Sequence, residues 1–131
     1  MTTIDYRERF EVDNAALSAL HARAFGTETA IIDWSDRLER YSLTWIGAFD
    51  AERLVGFVNV ITDGGAHAFV LDTIVEPQRQ GAGIGRRLIA EAAAAARRAG
   101  CRWLHVDYED QLRDFYSGCG FRPTAAGLLR L

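Results

Sequence analysis

The segment that most constrains the fold lies in the middle of the chain, where an apolar run gives way to a glycine-rich loop. Residues 66–76 are apolar enough to predict a central strand of a sheet. Pro77 ends that strand, and residues 78–85 contain three glycines. A helix follows directly, because apolar residues recur at helical spacing from Ile84 until Gly100 stops them. The chain must therefore bring a strand, a tight loop and a helix N-terminus together at one point.

The segments around this unit predict a mixed sheet. Before it come a strand over residues 3–10, two helices capped by Asp13 and Asp33, and strands over 43–49 and 54–61. After the central helix come a strand over 103–108, a short helix over 110–117 and a closing strand from Gly120. Short turns join the early strands, which makes them antiparallel. The central strand, helix and following strand form a right-handed βαβ unit. We expect a mixed α/β fold with a mostly antiparallel central sheet and helices on both faces.

Length and composition indicate one folded domain over residues 1–131, since 49% of the residues are hydrophobic and 25% are charged. The net charge of −3 gives no basic surface for nucleic acid, and no apolar run approaches the ~20 residues of a membrane span. Cys101 and Cys119 are too few for a disulfide framework or a metal quartet. We therefore expect reduced thiols, no metal, no membrane partner and a cytoplasmic location.

All fifteen basic residues are arginine, and this excludes several classes of enzyme. Without lysine the chain cannot form a Walker-type phosphate loop. It also cannot form the lysine Schiff base that pyridoxal-phosphate enzymes and class I aldolases require. No serine lies in the G-x-S-x-G motif of the α/β-hydrolases, so this type of hydrolase is not expected either.

The glycine loop has the character of an anion site. Glycines let the backbone approach a ligand closely, and the first N–H groups of the helix point at it. Arg86 and Arg87 add charged donors at the entrance. A dinucleotide fingerprint starting at Gly81 would place Arg86 where a third glycine belongs, which disfavours a nucleotide-binding oxidoreductase. An ordinary loop before a helix remains the alternative from this segment alone.

Two motifs, separated by a predicted helix and strand, resemble those of the GCN5-related N-acetyltransferase (GNAT) family. The first consists of Gln80, Gly81, Ala82, Gly83, Ile84 and Gly85, which match the family's [Q/R]-x-x-G-x-[G/A] loop. The second runs from Phe115 and Tyr116 to Gly120 and Phe121, and it looks like the family's F-Y-x-x-x-G-F segment. The resemblance covers about residues 69–121. It implies an acyl-CoA N-acyltransferase fold and a cytoplasmic transferase.

The resemblance implies acetyl-CoA as the acetyl donor and a primary amine as the acceptor. It assigns the pyrophosphate to the backbone amides of the loop and to Arg86 beside them. It assigns the pantetheine arm to the backbone of Ile74 and Val75, in a gap where the strands over residues 69–76 and 103–108 splay apart. Dimers are common in the family, so a homodimer is also expected.

The resemblance and the chemistry together favour Tyr116 as the acid of the reaction. Attack of an amine on a thioester expels a thiolate, whose conjugate thiol has a pKa near ~8.5. A positioned phenol of pKa ~10 can donate a proton or hydrogen bond to that sulfur. Matching tyrosines of the family have this role. The alternative is a core aromatic residue beside Phe115.

The base that takes the amine proton is left open between two carboxylates. Asp72 lies near the expected splay of the strands, and Glu109 lies just past the strand over 103–108, from which it would act directly or through water. Many family members carry asparagine where Glu109 stands. Asp107 and His105 share a strand face, and His67 is expected to be solvated near a turn.

Two functions of different kinds remain for the same fold. The first is an N-acetyltransferase that works by direct attack in a ternary complex with a small-molecule or peptide amine. The second is a non-catalytic acyl-CoA-binding regulatory module. The complete loop and Tyr116 favour the enzyme. Trp34, Trp45 and Trp103 are expected in the core or a pocket wall, and Tyr41 and Trp45 could line the acceptor site. The identity of the amine is not predicted.

Overall fold

The structure, a computed structural model, describes residues 3–26 and 30–131. Its elements are β1 (Ile4–Glu8), α1 (Asn14–Phe25), α2 (Trp34–Tyr41), β2 (Thr44–Asp50), β3 (Arg53–Thr62), β4 (His67–Val75), α3 (Ile84–Arg98), β5 (Trp103–His105) and α4 (Arg113–Gly118). Short 3₁₀ turns at Pro77–Arg79 and Asp110–Leu112 precede α3 and α4. The predicted helix over 110–117 is thus a 3₁₀ turn followed by α4.

Short polar side chains and glycines fix the ends of the first helices, as the sequence predicts. The Asp13 carboxylate accepts from the Ala16 amide at the start of α1, and the Asp33 carboxylate accepts from the Asp36 amide at the start of α2. Gly26 ends α1 in the left-handed conformation that glycine adopts without strain. These caps fix the first residues of both helices and the last residue of α1.

The five strands form one sheet in the order β1-β2-β3-β4-β5. The first four are antiparallel neighbours, whereas β4 and β5 are parallel and are connected by α3. This arrangement confirms the predicted mixed fold, with an antiparallel first half joined to a βαβ unit.

Two hydrophobic clusters cover the two faces of the sheet. On one face α3 packs its apolar residues on alternating residues of β2, β3 and β4, and Tyr116 of α4 belongs to the same cluster. On the other face α1 and α2 pack Leu17, Leu20 and Trp34 against Phe57 and neighbouring side chains. The helices therefore lie on both faces, and each face has its own core.

The C-terminal part of the sheet is shorter than predicted. β5 contains three residues instead of the predicted 103–108, and the expected closing strand from Gly120 is wrong, because residues 119–131 contain neither helix nor strand. Val106 and Tyr108 pack beside the α3 cluster instead of continuing along β4. Pro123 has no amide proton for a strand ladder, which disfavours pairing further along.

The pairing of β4 with β5 stops early and leaves a gap in the sheet. The last paired residues are Phe69 of β4 and His105 of β5. β4 continues to Val75 and stays paired with β3 on its other side. The backbone of β4 after Leu71 therefore has an open edge toward the region that β5 would occupy.

A β-bulge lies in β4 beside this gap. Leu71 pairs with Asn59 and Ile74 pairs with Phe57, so Asp72 and Thr73 together oppose Val58. Asp72 accommodates the extra residue with a left-handed backbone, at φ 56°. The bulge shifts the alternation of side chains, because Ala68 and Val70 face α3 before it and Val75 faces α3 after it.

A buried carboxylate ties the end of β4 to α1. Glu76 is 5% exposed, and its two oxygens accept from Arg23 Nε at 3.0 Å and Arg23 Nη2 at 2.7 Å. The charged hydrogen bonds from Arg23 lower the pKa of Glu76 more than its burial raises it. This bidentate pair holds the strand and helix together next to the gap.

The three tryptophans occupy different environments. Trp34 and Trp45 are buried, which agrees with the predicted core, and the Trp45 indole donates to the Phe10 carbonyl. Trp103 is 57% exposed, so its predicted burial is wrong. It begins an edge strand, opposite His67 rather than beneath a helix. Among the described helices, none is long and apolar enough to cross a bilayer.

Candidate active site

The loop before α3 presents free backbone donors, because of the conformation of Gly83. Gly83 is the N-terminal cap at φ 86°, and the first helical hydrogen bond runs from the Arg87 amide to its carbonyl. The amides of Ile84, Gly85 and Arg86 therefore have no acceptor within the helix. A Cβ atom on Gly83 would meet no protein atom within 4 Å, so the space beside the amides is open. Amides and helix dipole together favour an anion there.

Gly85 has a different role from Gly83, since it brings α3 close to α4. A Cβ atom there would lie 3.2 Å from Cζ of Phe115 and 3.5 Å from Cγ2 of Val75. The absence of a side chain thus allows the Phe115 ring to pack on the start of α3. This contact brings the two motifs of the sequence together.

The loop and the second motif line one cavity of about 410 Å³. The loop and the start of α3 contribute Arg79, Gln80, Gly81, Gly83, Ile84, Gly85 and Arg86, β4 contributes Thr73 and Val75, and the last part of the chain contributes Leu112, Phe115 and Tyr116. The two sequence motifs, about thirty residues apart, therefore form one site at the gap beside β4.

Two neighbouring arginines at the start of α3 have different surroundings. Arg86 lines the cavity and takes part in none of the salt bridges between described residues. Arg87 pairs with Glu91 at 3.1 Å and lies 4.6 Å from the centre of the Tyr6 ring. On α3, Arg86 therefore supplies a positive charge to the cavity. Arg87, which the sequence predicted as a second charged donor at the entrance, does not.

Tyr116 is held in a cluster of aromatic rings and still reaches the cavity. Its ring stacks on Tyr108 at 4.9 Å and meets Phe115 and Phe121 edge-on, at 4.9 and 5.7 Å. The residue is 5% exposed, and burial raises the pKa of the phenol above its usual value of 10.0. Proximity to the Thr73 hydroxyl offsets part of that rise. The phenol is therefore protonated at neutral pH and can act as a donor.

Thr73 lies beside Tyr116 with an unsatisfied hydroxyl. Its Oγ1 atom is buried and makes no hydrogen bond of normal geometry with any described residue. A buried hydroxyl without a partner is costly, and it is often completed by a water or ligand. Thr73 and Tyr116 thus place two hydroxyl groups on one side of the cavity.

Neither predicted acidic residue lines the cavity. Asp72 lies at the bulge, and its Oδ1 is 3.4 Å from Nε2 of His21 on α1. Glu109 is exposed before the 3₁₀ turn and accepts from the Gln111 amide group at 2.9 Å. The structure therefore separates these carboxylates from the loop and from Tyr116, although Asp72 immediately precedes the cavity residue Thr73.

The remaining predicted residues occupy distinct positions around the site. Val75 lines the cavity, whereas the side chain of Ile74 packs in the α1 cluster, so only its backbone is near the open edge of β4. Ala82 belongs to the loop but does not line the cavity. Tyr41 is exposed at the end of α2, and Trp45 is buried in the α1 cluster.

Sequence reasoning gave no site role to four residues that line the cavity, which are Thr73, Arg79, Leu112 and Phe115. The guanidinium of Arg79 is anchored to the Asp50 carboxylate at the end of β2, and in the sequence Arg79 directly precedes the loop motif, which begins at Gln80. Leu112 lies next to α4, and no periodic pattern marks it. Thr73 reaches the cavity because of the bulge, and a regular period of two would place it on the opposite face.

Comparison with known proteins identifies the class. The model of the Acetyltransferase (GNAT) family matches residues 7–121, and the chain belongs to this family. The sequence is 41% identical over 66 residues to the aminoglycoside N(6′)-acetyltransferase type 1 of Stenotrophomonas maltophilia, covering 48% of this chain and 43% of that protein. The chain spans between 30% and 52% of the length of the curated relatives that it matches.

Solved structures show the same fold over nearly the whole chain. The crystal structure of a Trypanosoma brucei acetyltransferase has a TM-score of 0.85 and 24% identity, covering 98% of this chain and 100% of that one. The aminoglycoside N-acetyltransferase AAC(6′)-Iy, in complex with CoA, has a TM-score of 0.78 and 16% identity, covering 100% and 95%. At these identities the likeness establishes the fold.

Proposed function

We propose that this chain is an acetyl-CoA-dependent N-acetyltransferase that transfers the acetyl group to a primary amine by direct attack in a ternary complex. The observation that carries the proposal is the single cavity lined by both the α3 loop and Tyr116. The loop offers donors for an anionic ligand, and Tyr116 offers a protonated phenol. Membership of the GNAT family supports this combination of binding and chemistry.

The donor is bound by the backbone of the loop and by the open edge of β4. Free amides at the start of α3 and the Arg86 side chain receive the pyrophosphate, and the space beside Gly81 and Gly83 admits it. The backbone of Ile74 and Val75 receives the pantetheine arm along the gap. Gln80, Ala82 and Ile84 shape the loop that presents these groups.

Tyr116 assists departure of the thiolate. As the bond between carbon and sulfur breaks, the phenol donates its proton or a hydrogen bond to sulfur. The raised pKa of Tyr116 keeps the phenol protonated, so that a proton or hydrogen bond is available to the charge that develops on sulfur.

Of the two predicted carboxylates, Asp72 is favoured over Glu109 as a group in the path of the proton that the incoming ammonium loses. Asp72 lies at the bulge beside the gap, on the residue before Thr73. Glu109 is exposed and is engaged by Gln111 on its own turn. We therefore place Asp72 in the proton path and keep Glu109 as the weaker candidate, acting through water.

Direct transfer is favoured over an acetyl-cysteine intermediate. Burial raises the pKa of the Cys119 thiol, while Arg86 offsets this only in part. A thiol that stays protonated is a poor nucleophile. A variant with both Cys101→Ala and Cys119→Ala should retain most of its turnover.

The experiment that tests the proposal measures binding and turnover separately. Acetyl-CoA, NAD and ATP are compared by calorimetry, and thiol release is then followed with a polyamine, an aminoglycoside, an amino-sugar phosphate and a lysine-containing peptide. We expect selective binding of acetyl-CoA and thiol release with at least one amine. Binding without turnover on any amine would favour the alternative, an acyl-CoA-binding regulatory module.

Arg86 and Arg87 provide a matched control for the binding arm. Arg86→Gln should weaken acetyl-CoA binding about tenfold or more, because it removes a charged donor from the cavity. Arg87→Gln removes the same charge one residue further on, beside Tyr6 and Glu91, and should leave the affinity nearly unchanged. Equal effects of the two substitutions would contradict the assignment of Arg86.

The wider assignments belong to the same proposal. We propose that residues 1–131 act as a single domain, that the acceptor is a small-molecule or peptide amine and that no metal or nucleic acid takes part. The cytoplasmic location and the homodimer stay predictions from the sequence.

A further inference from the structure

His21 of α1 contacts the bulge of β4 through Asp72. Its Nε2 atom is 3.4 Å from Asp72 Oδ1, and the two side chains are 23% and 20% exposed. The imidazole ring lies 4.6 Å from the Phe25 ring and 5.3 Å from the Trp34 ring. The histidine is thus half-enclosed by aromatic rings and paired with a carboxylate at the strained residue of the site.

The bulge places this pair across the gap from Tyr116. Asp72 directs its carboxylate to α1, whereas the next residue, Thr73, lines the cavity with Tyr116. The backbone of β4 at this point has no partner strand on the β5 side. A thioester held along that open edge therefore has Tyr116 on one face of the sheet and the His21–Asp72 pair on the other.

The carboxylate determines which nitrogen of His21 can act as a base. Since a carboxylate accepts a hydrogen bond, it favours the tautomer with the proton on Nε2. The lone pair is then on Nδ1. None of the hydrogen bonds between described residues involves that atom. An imidazole with one nitrogen fixed by a carboxylate and the other unoccupied is the arrangement of a general base.

The charges around His21 support a proton acceptor. β4 presents Asp72, whose negative charge favours an incoming ammonium. α2 presents the Trp34 ring, and the Arg37 guanidinium lies on that ring at 4.7 Å from its centre. β3 presents the uncharged Phe57 ring behind Trp34. Further along α1, Arg23 is neutralised by Glu76, with Arg53 at 3.9 Å from the same carboxylate.

We propose that Nδ1 of His21 is the base that deprotonates the acceptor amine, and that Asp72 is the residue that positions it. This rests on the proposed acetyltransferase function and replaces Asp72 as the direct base. The ammonium gives one proton to Nδ1, which later releases it to solvent. The freed lone pair forms the nitrogen–carbon bond as the carbon–sulfur bond breaks. Nitrogen then loses its second proton, which replaces the one that Tyr116 gives to sulfur.

The test compares His21→Gln, Asp72→Asn and the double variant in pH profiles of kcat/KM. The acceptor is whichever amine of the panel above gives the highest wild-type turnover. We expect His21→Gln to lower kcat/KM roughly 10²–10⁴-fold and to remove the loss of activity at acidic pH. Asp72→Asn should cost about tenfold or more, and the double variant should be no worse than His21→Gln.

His67→Gln is the matched control, because His67 pairs with His105 on a different part of β4, with 2.7 Å between their ring nitrogens. It should leave the profile unchanged. All variants should bind acetyl-CoA as the wild type does, since His21 and Asp72 do not line the cavity. The assignment is overturned if His21→Gln leaves the pH profile unchanged. It is also overturned if Asp72→Asn removes the loss of activity at acidic pH and His21→Gln does not.

One further measurement and the amine panel together keep the outcomes distinct. Nitrogen NMR of the folded wild-type protein should show the neutral His21 ring protonated on Nε2, and the opposite tautomer would overturn the proposal even if His21→Gln does not fold. If the wild type binds acetyl-CoA but acetylates no amine of the panel, the acetyltransferase function fails, and this inference fails with it. Turnover with an unaffected His21→Gln variant defeats the inference alone.

Discussion

At the scale of single residues, Tyr116 combines a buried ring with a place in the lining of the cavity. The sequence motif presents a choice between a core aromatic residue and an acid. In the structure the ring packs among three other aromatic rings, and the same residue lines the cavity. The packing fixes the ring, and the surrounding apolar atoms raise the pKa of its hydroxyl. The core contacts therefore position the proposed acid.

Replacing Tyr116 by phenylalanine should separate these contributions. The ring contacts remain and the donor is lost, so kcat should fall roughly 10²–10⁴-fold with little change in KM for acetyl-CoA. Because the pKa of Tyr116 is raised above 10.0, the wild type should show no alkaline loss from this group below about pH 10.

Tyr108→Phe is the control for that substitution, since Tyr108 stacks on Tyr116 but does not line the cavity. It should keep kcat close to the wild-type value in steady-state kinetics. A Tyr116→Phe variant with kcat within about threefold of wild type would assign the residue to packing, because a general acid contributes far more.

The loop and Tyr116 could be singled out from the sequence because both belong to motifs with a direct chemical reason. Gly83 needs a positive φ at the helix start, and no other residue adopts that conformation as easily. The pairing of Asp72 with His21 was not predictable, since 51 positions separate them and neither belongs to a motif. Contacts of that kind depend on how α1 packs over β4.

At the scale of elements, a glycine with a left-handed backbone stands at each end of α3. Gly83 begins the helix at φ 86°, and Gly100 follows its end at φ 89°. A Cβ atom at either position would meet no protein atom within 4 Å. The two glycines thus carry the same backbone constraint at opposite ends, but only Gly83 adjoins the free amides.

Gly83→Val and Gly100→Val should therefore lower the stability of the fold by similar amounts, whereas only Gly83→Val should weaken acetyl-CoA binding. Both should destabilise the fold by about 1–2 kcal/mol, the typical cost of a left-handed backbone for a residue with a side chain. Gly83→Val should weaken acetyl-CoA binding by more than about tenfold, because its side chain occupies the space beside the amides. Calorimetry and urea unfolding of both variants measure the two effects, and equal affinities would contradict the loop assignment.

The order of elements was predictable because it depends on local period and turn residues. The limits of the last strands were not, because they depend on pairing. Residues 106–108 alternate as a strand would, yet they leave β4 and pack beside α3. The gap that results is a property of the tertiary structure, and the period of the sequence alone predicts a longer sheet.

At the scale of the whole molecule, the Glu76–Arg23 pair joins the two halves of the fold next to the site. It connects the end of β4, which leads into the loop, with α1, which carries His21. The carboxylate is buried and accepts two charged hydrogen bonds. Such a pair adds little to the free energy of unfolding while it is intact. Removing one partner destabilises the fold, because it leaves the other charge without a partner.

Glu76→Gln should lower the free energy of unfolding at neutral pH by about 1.5–3 kcal/mol. The pKa of Glu76 is lowered in the folded state, so its contribution is complete above the pKa of the unfolded carboxyl, ~4.3, and is lost as the pH falls through the folded value. The difference between wild type and variant should thus shrink in acid. Urea unfolding at a series of pH values measures it.

Glu91→Gln is the matched control, because Glu91 forms an exposed pair with Arg87 on the surface of α3. Its removal should cost no more than about 0.5 kcal/mol. A loss from Glu76→Gln that is equally small, or that stays constant down to pH 2, would contradict the role given to the buried pair.

The extra residue at the bulge of β4 also constrains how this sequence can change. Deletion of the single codon for Asp72 would allow regular pairing between β3 and β4. Residues 73–75 would keep their partners on β3, so Thr73 and Val75 would still face the cavity and Ile74 would still face α1. The deletion would give a more regular sheet and keep the lining of the cavity, but it would remove the carboxylate that contacts His21. Selection for a regular sheet and selection for the His21–Asp72 pair therefore oppose each other at this codon.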